Sequence, residues 1–238
     1  MSLYKQLKKI PTSIVNQKLR GFFKEDQITK DITTNTYINK NKNINAKIIS
    51  EFNGIFSGEQ VIKEAFSKNI QVIIKKRDGD KIKNKETIAT LVGPSFEILK
   101  KERVVLNLIQ RMSGVATETN KYVNKSKKIK ILDTRKTTPG IRIFEKYAVK
   151  CGGGENHRFD LSKGIMIKDN HINSNGGISK TILKSQKSNL PLQIEIDNLT
   201  QLKECLKFSI DAVLLDNMSP KKIKECVKTI RESKNYYT

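Results

Sequence analysis

From Gly114 onward the chain alternates short apolar runs with amphipathic stretches, and this rhythm restricts the fold more than any other feature. Ile165–Ile167, Leu192–Ile196 and Ala212–Leu215 read as strands, with Lys130–Leu132 as a shorter one before them. Helices are expected between and after them, over about Pro139–Val149, Ile178–Lys187, Leu199–Phe208 and Pro220–Glu232. The last has Ser219 as a cap and proline at its first position, both favourable start signals. Four strand–helix units in succession call for parallel strands joined by crossovers. If they belong to a parallel α/β barrel, the carboxyl ends of all strands open on the same mouth.

The first part of the chain follows another pattern, mixed α and β. Asn45–Phe56 holds a short apolar run interrupted by Gly54, and Glu59–Ser67 sets Val61, Ile62, Ala65 and Phe66 at helical spacing. Ile70–Lys75 and Thr87–Val92 read as strands, separated by the turn signal Asp78-Gly79-Asp80. Gly93-Pro94-Ser95 breaks the second strand. An amphipathic helix then runs from about Ser95 to Met112, with Ile98, Leu99, Val105, Leu106, Leu108 and Ile109 as its buried stripe. A domain boundary is expected near Met112–Gly114, which gives residues 1–112 and 113–238.

Composition narrows the classes. With 238 residues and 37% hydrophobic content the chain can fill a core, so full disorder is excluded despite a formal charge of +22. No apolar run reaches the length of a membrane span, and Met1–Ile10 lacks the apolar stretch of a secretory signal. A soluble cytoplasmic chain is the expectation, with no membrane partner. The basic balance draws polyanions of any kind. Its lysines, however, are sprinkled over nearly every segment without a long basic block interleaved with aromatics, so nucleic acid is not the expected partner. Cys151, Cys205 and Cys226 form an odd set without CxxC spacing, which points to buried thiols rather than a disulfide framework or zinc cage.

Charged residues at the strand ends carry more information than the total. Asp133-Thr134-Arg135-Lys136 follows the first strand of the alternating region and Lys168-Asp169-Asn170-His171 the second, while Glu195 lies within the third and Asp216-Asn217 ends the fourth. A two-signed cleft is expected. Arg135, Lys136 and Lys168 could hold an anionic substrate, and Glu195 and Asp216 hydroxyls or a hydrated Mg²⁺. The bland alternative is that these groups cap loops or pair with one another, but a mouth full of charge is costly unless a ligand keeps it. Both histidines, His157 and His171, fall in this region. Gly152-Gly153-Gly154 just before Asn156-His157-Arg158 reads as a plain turn more than a phosphate loop, since it matches neither the dinucleotide fingerprint nor the P-loop pattern.

The motifs DTRKTTPG (Asp133–Gly140), NHRF (Asn156–Phe159) and IKDNH (Ile167–His171), with ERVVLNLIQRMSG from Glu102, closely resemble quinolinate phosphoribosyltransferase. EDQITKDITTN at Glu25–Asn35, GIFSG at Gly54–Gly58, and the later IEIDNLTQL and LLDNMSP extend the likeness over nearly the whole chain. The resemblance implies an amino-terminal α/β sandwich followed by an open parallel α/β barrel. It also implies transfer of the phosphoribosyl group from phosphoribosyl pyrophosphate to quinolinate with decarboxylation, yielding nicotinate mononucleotide, pyrophosphate and CO₂. Carried over residue by residue, Arg103 is an arginine lent to a neighbouring subunit, so a homodimer or higher oligomer with shared active sites is implied. Thr134, Arg135, Lys136, His157, Arg158 and Lys168 line the quinolinate and pyrophosphate pocket. Glu195 and Asp216 contact the ribose hydroxyls and Mg²⁺, directly or through water. Lys136, Lys168, Glu195 and Asp216 form the catalytic set, with Mg²⁺ accompanying phosphoribosyl pyrophosphate and no organic prosthetic group. Relative to the family, the sequence stops about where two further strand–helix units are expected. That departure leaves a second possibility, a catalytically inactive shortened homologue acting as a basic binding or partner protein.

Overall fold

The long helix expected to stop at Met112 does not stop there. In the computed structural model, which describes residues 2–40, 42–66, 68–126 and 128–233, it runs without a break over Ser95–Lys125. Its buried side continues as Val105, Leu108, Ile109, Met112, Ala116 and Thr119, all at helical spacing. A side chain at Gly114 would meet nothing within 4 Å, so that glycine sits on the open side and costs the helix only propensity.

Two compact units are present: Gln6–His157, and the described residues of Met1–Lys5 with Arg158–Thr238. The first contains, in order, α1 (Thr12–Glu25), a short 3₁₀ turn, α2 (Ile32–Tyr37), β1 (Asn43–Ile49), β2 (Gly54–Ile55), α3 (Glu59–Phe66), β3 (Gln71–Ile74), β4 (Lys81–Ile82), β5 (Thr87–Pro94), α4 (Ser95–Lys125) and α5 (Arg142–Cys151). Ser67, expected to end α3, lies outside the described residues. Strands β1, β5 and β3 form an antiparallel sheet in that order, with Ile44 opposite Gly93 and Val72 opposite Leu91. β2 and β4 pair separately. Phe56, Ile62, Phe66, Val105, Met112 and Phe144 are among the most deeply buried side chains. The Asp78-Gly79-Asp80 turn does more than reverse the chain. Its Asp78 carboxylate accepts the Gly58 and Glu59 N–H groups at the start of α3 and the Tyr147 hydroxyl from α5. Gly58 is obligatory there, because it has φ +141° and a Cβ would stand 2.5 Å from Ile109 of α4.

Arg158 onward holds β6 (Ile165–Ile167), α6 (Asp169–Ser174), α7 (Ile178–Ser185), β7 (Leu192–Ile196), α8 (Leu199–Cys205), β8 (Ala212–Leu215) and α9 (Pro220–Glu232). The strands are parallel, in the order β6-β7-β8, with Ile167 opposite Ile194 and Ile196 opposite Leu215. Ile167, Ile182, Ile194, Ile196, Leu202 and Cys205 make the centre of this core. Ser219 caps α9 as expected, accepting the Lys222 N–H, and Asn198 caps α8 in the same way. The remaining expected strand, Lys130–Leu132, is reduced to a single parallel bridge from Leu132 to Glu155, within the first unit. Leu132 is half exposed, so the segment has no buried face to hold a longer ladder. The parallel sheet of the described residues therefore has three strands rather than four, and no closed barrel.

No helix among the described residues is long and apolar enough to cross a membrane. All three cysteines are free thiols. Burial pushes Cys151 up to about 11 and Cys205 up to about 12, and it raises Cys226 as well. Alkylation of the native protein by iodoacetamide at neutral pH is accordingly expected to be slow at all three and to become rapid in denaturant. Mass-spectrometric counting of adducts over time checks this, and fast labelling of native Cys205 would contradict it.

Candidate active site

The strand-end segment Asp133–Thr138 becomes a loop leading into α5. Its first residue is held from three sides. The Asp133 carboxylate accepts the Lys146 ammonium from α5, the His157 N–H at 2.9 Å and the Asn156 side-chain amide at 2.6 Å. Lys146 has no solvent-exposed side-chain surface, and it donates also to the His157 carbonyl at 3.2 Å. Asn156 is buried as well; it donates to the Lys146 carbonyl and is bracketed by Gln6 through two further bonds.

The far end of the loop is held by a second set. Thr138 presents its N–H to Glu145 Oε2 at 2.9 Å and its hydroxyl to Oε1 at 2.8 Å, while Arg111 of α4 pairs with the same carboxylate at 2.7 Å. Burial alone would raise the Glu145 carboxyl, but the Thr138 N–H, the Arg111 guanidinium and the Thr138 hydroxyl outweigh it and hold the group below the ordinary glutamate range. Thr138-Pro139-Gly140-Ile141 then turns, with Gly140 at φ +84° and the Ile141 N–H returning to the Thr138 carbonyl. This turn is why α5 begins at Arg142 rather than at Pro139.

Between the two anchors lie the expected binding residues. Thr134 is exposed, and its hydroxyl accepts the Lys136 N–H at 2.9 Å, shaping the loop. Arg142 donates to the Thr137 hydroxyl at 3.0 Å. Lys136 is exposed. Arg135 is half-buried, and its Nε–H is shut away from solvent with no hydrogen-bond partner among the described residues. Burial pushes the Lys146 ammonium below the ordinary lysine value, Asp133 pulls it back, and Arg142 and Arg135 push it down further. Arg135, Lys136 and Arg142 thus set three cations on or beside this loop, while the Asp133 carboxylate is spent on the structure.

Arg103 belongs to the same unit but not to this loop. It is exposed on α4 and makes no hydrogen bond or ion pair among the described residues. It lines a cavity of about 590 Å³ together with Lys47, Phe52, Glu102 and Gln110.

The second unit carries the other expected residues. Arg158 is buried and donates to the Gly164 carbonyl at 2.9 Å. Lys168, Glu195 and Asp216 stand at the carboxyl ends of β6, β7 and β8, in that order across the sheet. Because Ile167 pairs with Ile194, Lys168 falls beside Glu195, and ammonium and carboxylate meet at 2.6 Å. Asp216 follows Leu215, and its N–H bonds the Ile196 carbonyl at 3.2 Å. His171 accepts the Lys168 N–H and so ties the turn into α6. Among the described residues no group of three or more His, Cys, Asp or Glu side chains gathers as a metal cage.

The glycine triplet is structural. Gly152 and Gly154 are buried, and a Cβ on Gly152 would collide with the Ala116 carbonyl of α4. Sequence reasoning missed Lys146, Glu145, Arg111 and Asn156. The first two sit in the run Ile143–Ala148, where charged residues share buried positions with Phe144 and Ala148, and no hydrophobic period separates them from a solvated face.

Each unit of this α/β protein thus presents cations, with carboxylates beside them, at loop and strand ends, the equipment for a multiply charged anionic ligand. Residues 31–113 match the amino-terminal domain of quinolinate phosphoribosyl transferase and residues 115–237 match its carboxy-terminal domain. The chain belongs to the quinolinate phosphoribosyltransferase family. A probable carboxylating nicotinate-nucleotide pyrophosphorylase of Bacillus subtilis is 44% identical over 218 residues, covering 88% of this chain and 75% of the relative. The solved nicotinate-nucleotide pyrophosphorylase of Francisella tularensis aligns over 96% of this chain and 84% of its own, with 39% identity and a TM-score of 0.91. That of Ehrlichia chaffeensis aligns over 95% and 84%, at 36% identity and a TM-score of 0.87.

Proposed function

We propose that this chain is a carboxylating phosphoribosyltransferase, joining quinolinate to phosphoribosyl pyrophosphate and releasing nicotinate mononucleotide, pyrophosphate and CO₂. The observation that carries the assignment to a site is the buried Arg135 Nε–H without an acceptor. A buried donor left unmade is costly, and a ligand carboxylate is the partner that a guanidinium fork fits best.

Quinolinate brings two carboxylates, and Arg135, Lys136, His157, Arg158 and Lys168 are the groups assigned to hold it and the pyrophosphate, with Thr134 shaping the loop. As the bond from ribose C1 to pyrophosphate breaks, positive charge develops on the sugar. Glu195 and Asp216 stabilise that charge and take the ribose hydroxyls. The ring nitrogen then bonds to C1. Ribosylation makes the ring a cation, so the electrons of the adjacent carbon–carboxylate bond have a sink when CO₂ departs. A proton replaces the carboxylate on the ring, and the substrate itself supplies the electron sink. Mg²⁺ enters as the companion of phosphoribosyl pyrophosphate and supplies neutralisation of its diphosphate. Arg103, exposed on its helix and without a partner among the described residues, is assigned to a neighbouring subunit's site in a homodimer or higher oligomer. A cytoplasmic setting agrees with three free thiols.

Incubation with quinolinate, phosphoribosyl pyrophosphate and Mg²⁺ should yield nicotinate mononucleotide, with nicotinate a far weaker competitor than a second dicarboxylate. Arg103→Ala and Arg158→Ala should each be inactive. Mixed and allowed to exchange subunits, they should recover about a quarter of the activity, because half the dimers then hold one intact site. No product from the unaltered chain at high concentration overturns the assignment, and no recovery on mixing removes the lent arginine.

A further inference from the structure

Glu145 and Lys146 are consecutive residues of α5, and both are buried although both are charged. Neighbours on a helix point about 100° apart, so the two side chains diverge. Lys146 reaches Asp133 at one end of the loop; Glu145 reaches Thr138 at the other, where it takes both the backbone N–H and the hydroxyl. The span from Asp133 to Thr138 is thus pinned at both ends by adjacent residues of opposite sign. Arg142, one turn earlier on the same helix, secures the middle through Thr137.

We propose that Glu145 and Lys146 act as a two-point clamp, a pair of positioning residues that preorganise Arg135 and Lys136 for the substrate dianion. This rests on the assignment of that loop to quinolinate. Energetics favour positioning over plain stability. Burying an ammonium and a carboxylate is a poor way to stabilise a helix, since apolar residues of similar volume commonly do as well or better. What an apolar pair cannot do is bond the N–H and hydroxyl of Thr138 and the carboxylate of Asp133. The loop between is saturated with such bonds, at Thr134, Thr137 and Thr138, while the Arg135 Nε–H alone among its buried side-chain donors is left open. A loop held rigid with one donor unfilled has met its ordering cost before the ligand arrives.

Arg111 extends the clamp to α4. Its guanidinium braces the Glu145 carboxylate at 2.7 Å yet is itself more than half exposed, so the brace can be altered without opening the core.

The test is steady-state kinetics on the full chain with Glu145→Gln and, separately, Arg111→Ala, alongside calorimetric binding of quinolinate and thermal melting. Glu145→Gln keeps the shape and an acceptor but loses the charge that holds two donors and a guanidinium together. The Michaelis constant for quinolinate is expected to rise between about tenfold and a hundredfold, with kcat altered far less, because the loop grips ground and transition states alike. Arg111→Ala should move the same constant in the same direction by a smaller factor. A merely structural role predicts the reverse: a lower melting temperature and fewer active molecules, with the Michaelis constant unchanged. That pattern overturns the clamp. Should Glu145→Gln fail to fold, an unchanged Michaelis constant in Arg111→Ala overturns it instead. If the unaltered chain forms no product and binds no quinolinate, the functional assignment falls first and the clamp with it; an active unaltered chain with unaffected variants removes the clamp alone.

Discussion

Replacing Lys146 with methionine is expected to lower the melting temperature of the chain by about 6–20 °C, the largest effect on stability expected at any residue of the loop and its anchors. The lysine side chain has no exposed surface, and Asp133 beside it is only 5% exposed. Removing one partner of such a pair leaves an uncompensated buried charge, which costs about 3–5 kcal/mol. For a chain of this size each kcal/mol corresponds to roughly 2–4 °C. The loss has a second component, since the His157 carbonyl also gives up its side-chain donor. Asp133→Asn in the same molecule should restore only part of the difference: the orphaned charge is gone and an amide oxygen still accepts the His157 N–H, but the new amide N–H faces the Asn156 amide, which loses its acceptor. Circular-dichroism melts of the single and double variants decide the matter. A Lys146→Met protein that melts with the unaltered chain would mean that solvent reaches this pair and that the loop is held by other means.

That pair also marks the limit of what the sequence makes legible. Leu192–Ile196, Ala212–Leu215 and Pro220–Glu232 emerge with the bounds their sequence implies, because each is a clean apolar or amphipathic run stopped by turn residues or opened by a capped proline. The end of α4 is hidden because Gly114 looks like punctuation, whereas the buried stripe passes beneath it to Ala116 and Thr119. Lys130–Leu132 has the composition of a strand but no face to bury. α1 gives almost no signal: only Val15 and Leu19 are buried along its 14 residues, too sparse a stripe to stand out among its lysines. The site divides the same way. Lys168 and Glu195 are legible, since each interrupts or ends an apolar run, and strand pairing fixes who stands beside whom. Lys146 and Glu145 are not, because their partners lie 13 and 7 residues away around a turn whose path the sequence does not encode locally.

Substituting Glu195 with glutamine should lower kcat by about a hundredfold to a thousandfold while leaving quinolinate binding within about threefold. The replacement is nearly isosteric. Its oxygen can still accept from Lys168, and the β7 backbone pairing with Ile167 and Val213 on its neighbours does not involve the side chain. Stability should change little, because Lys168 is 44% exposed and an ion pair open to water contributes at most about 1 kcal/mol. What disappears is a fixed negative charge, mostly shielded from solvent, at the end of the strand between Lys168 and Asp216. A charge of that kind matters little to a neutral sugar and much to one that has become cationic as pyrophosphate leaves, so the loss belongs in kcat rather than in substrate binding. Single-turnover rates with saturating phosphoribosyl pyrophosphate, compared with calorimetric quinolinate affinity, separate the two. If Glu195→Gln turned over at near the unaltered rate, the Lys168–Glu195 pair would be an ordinary strand-end ion pair, and the stabilising charge for the ribose would have to be sought at Asp216 alone.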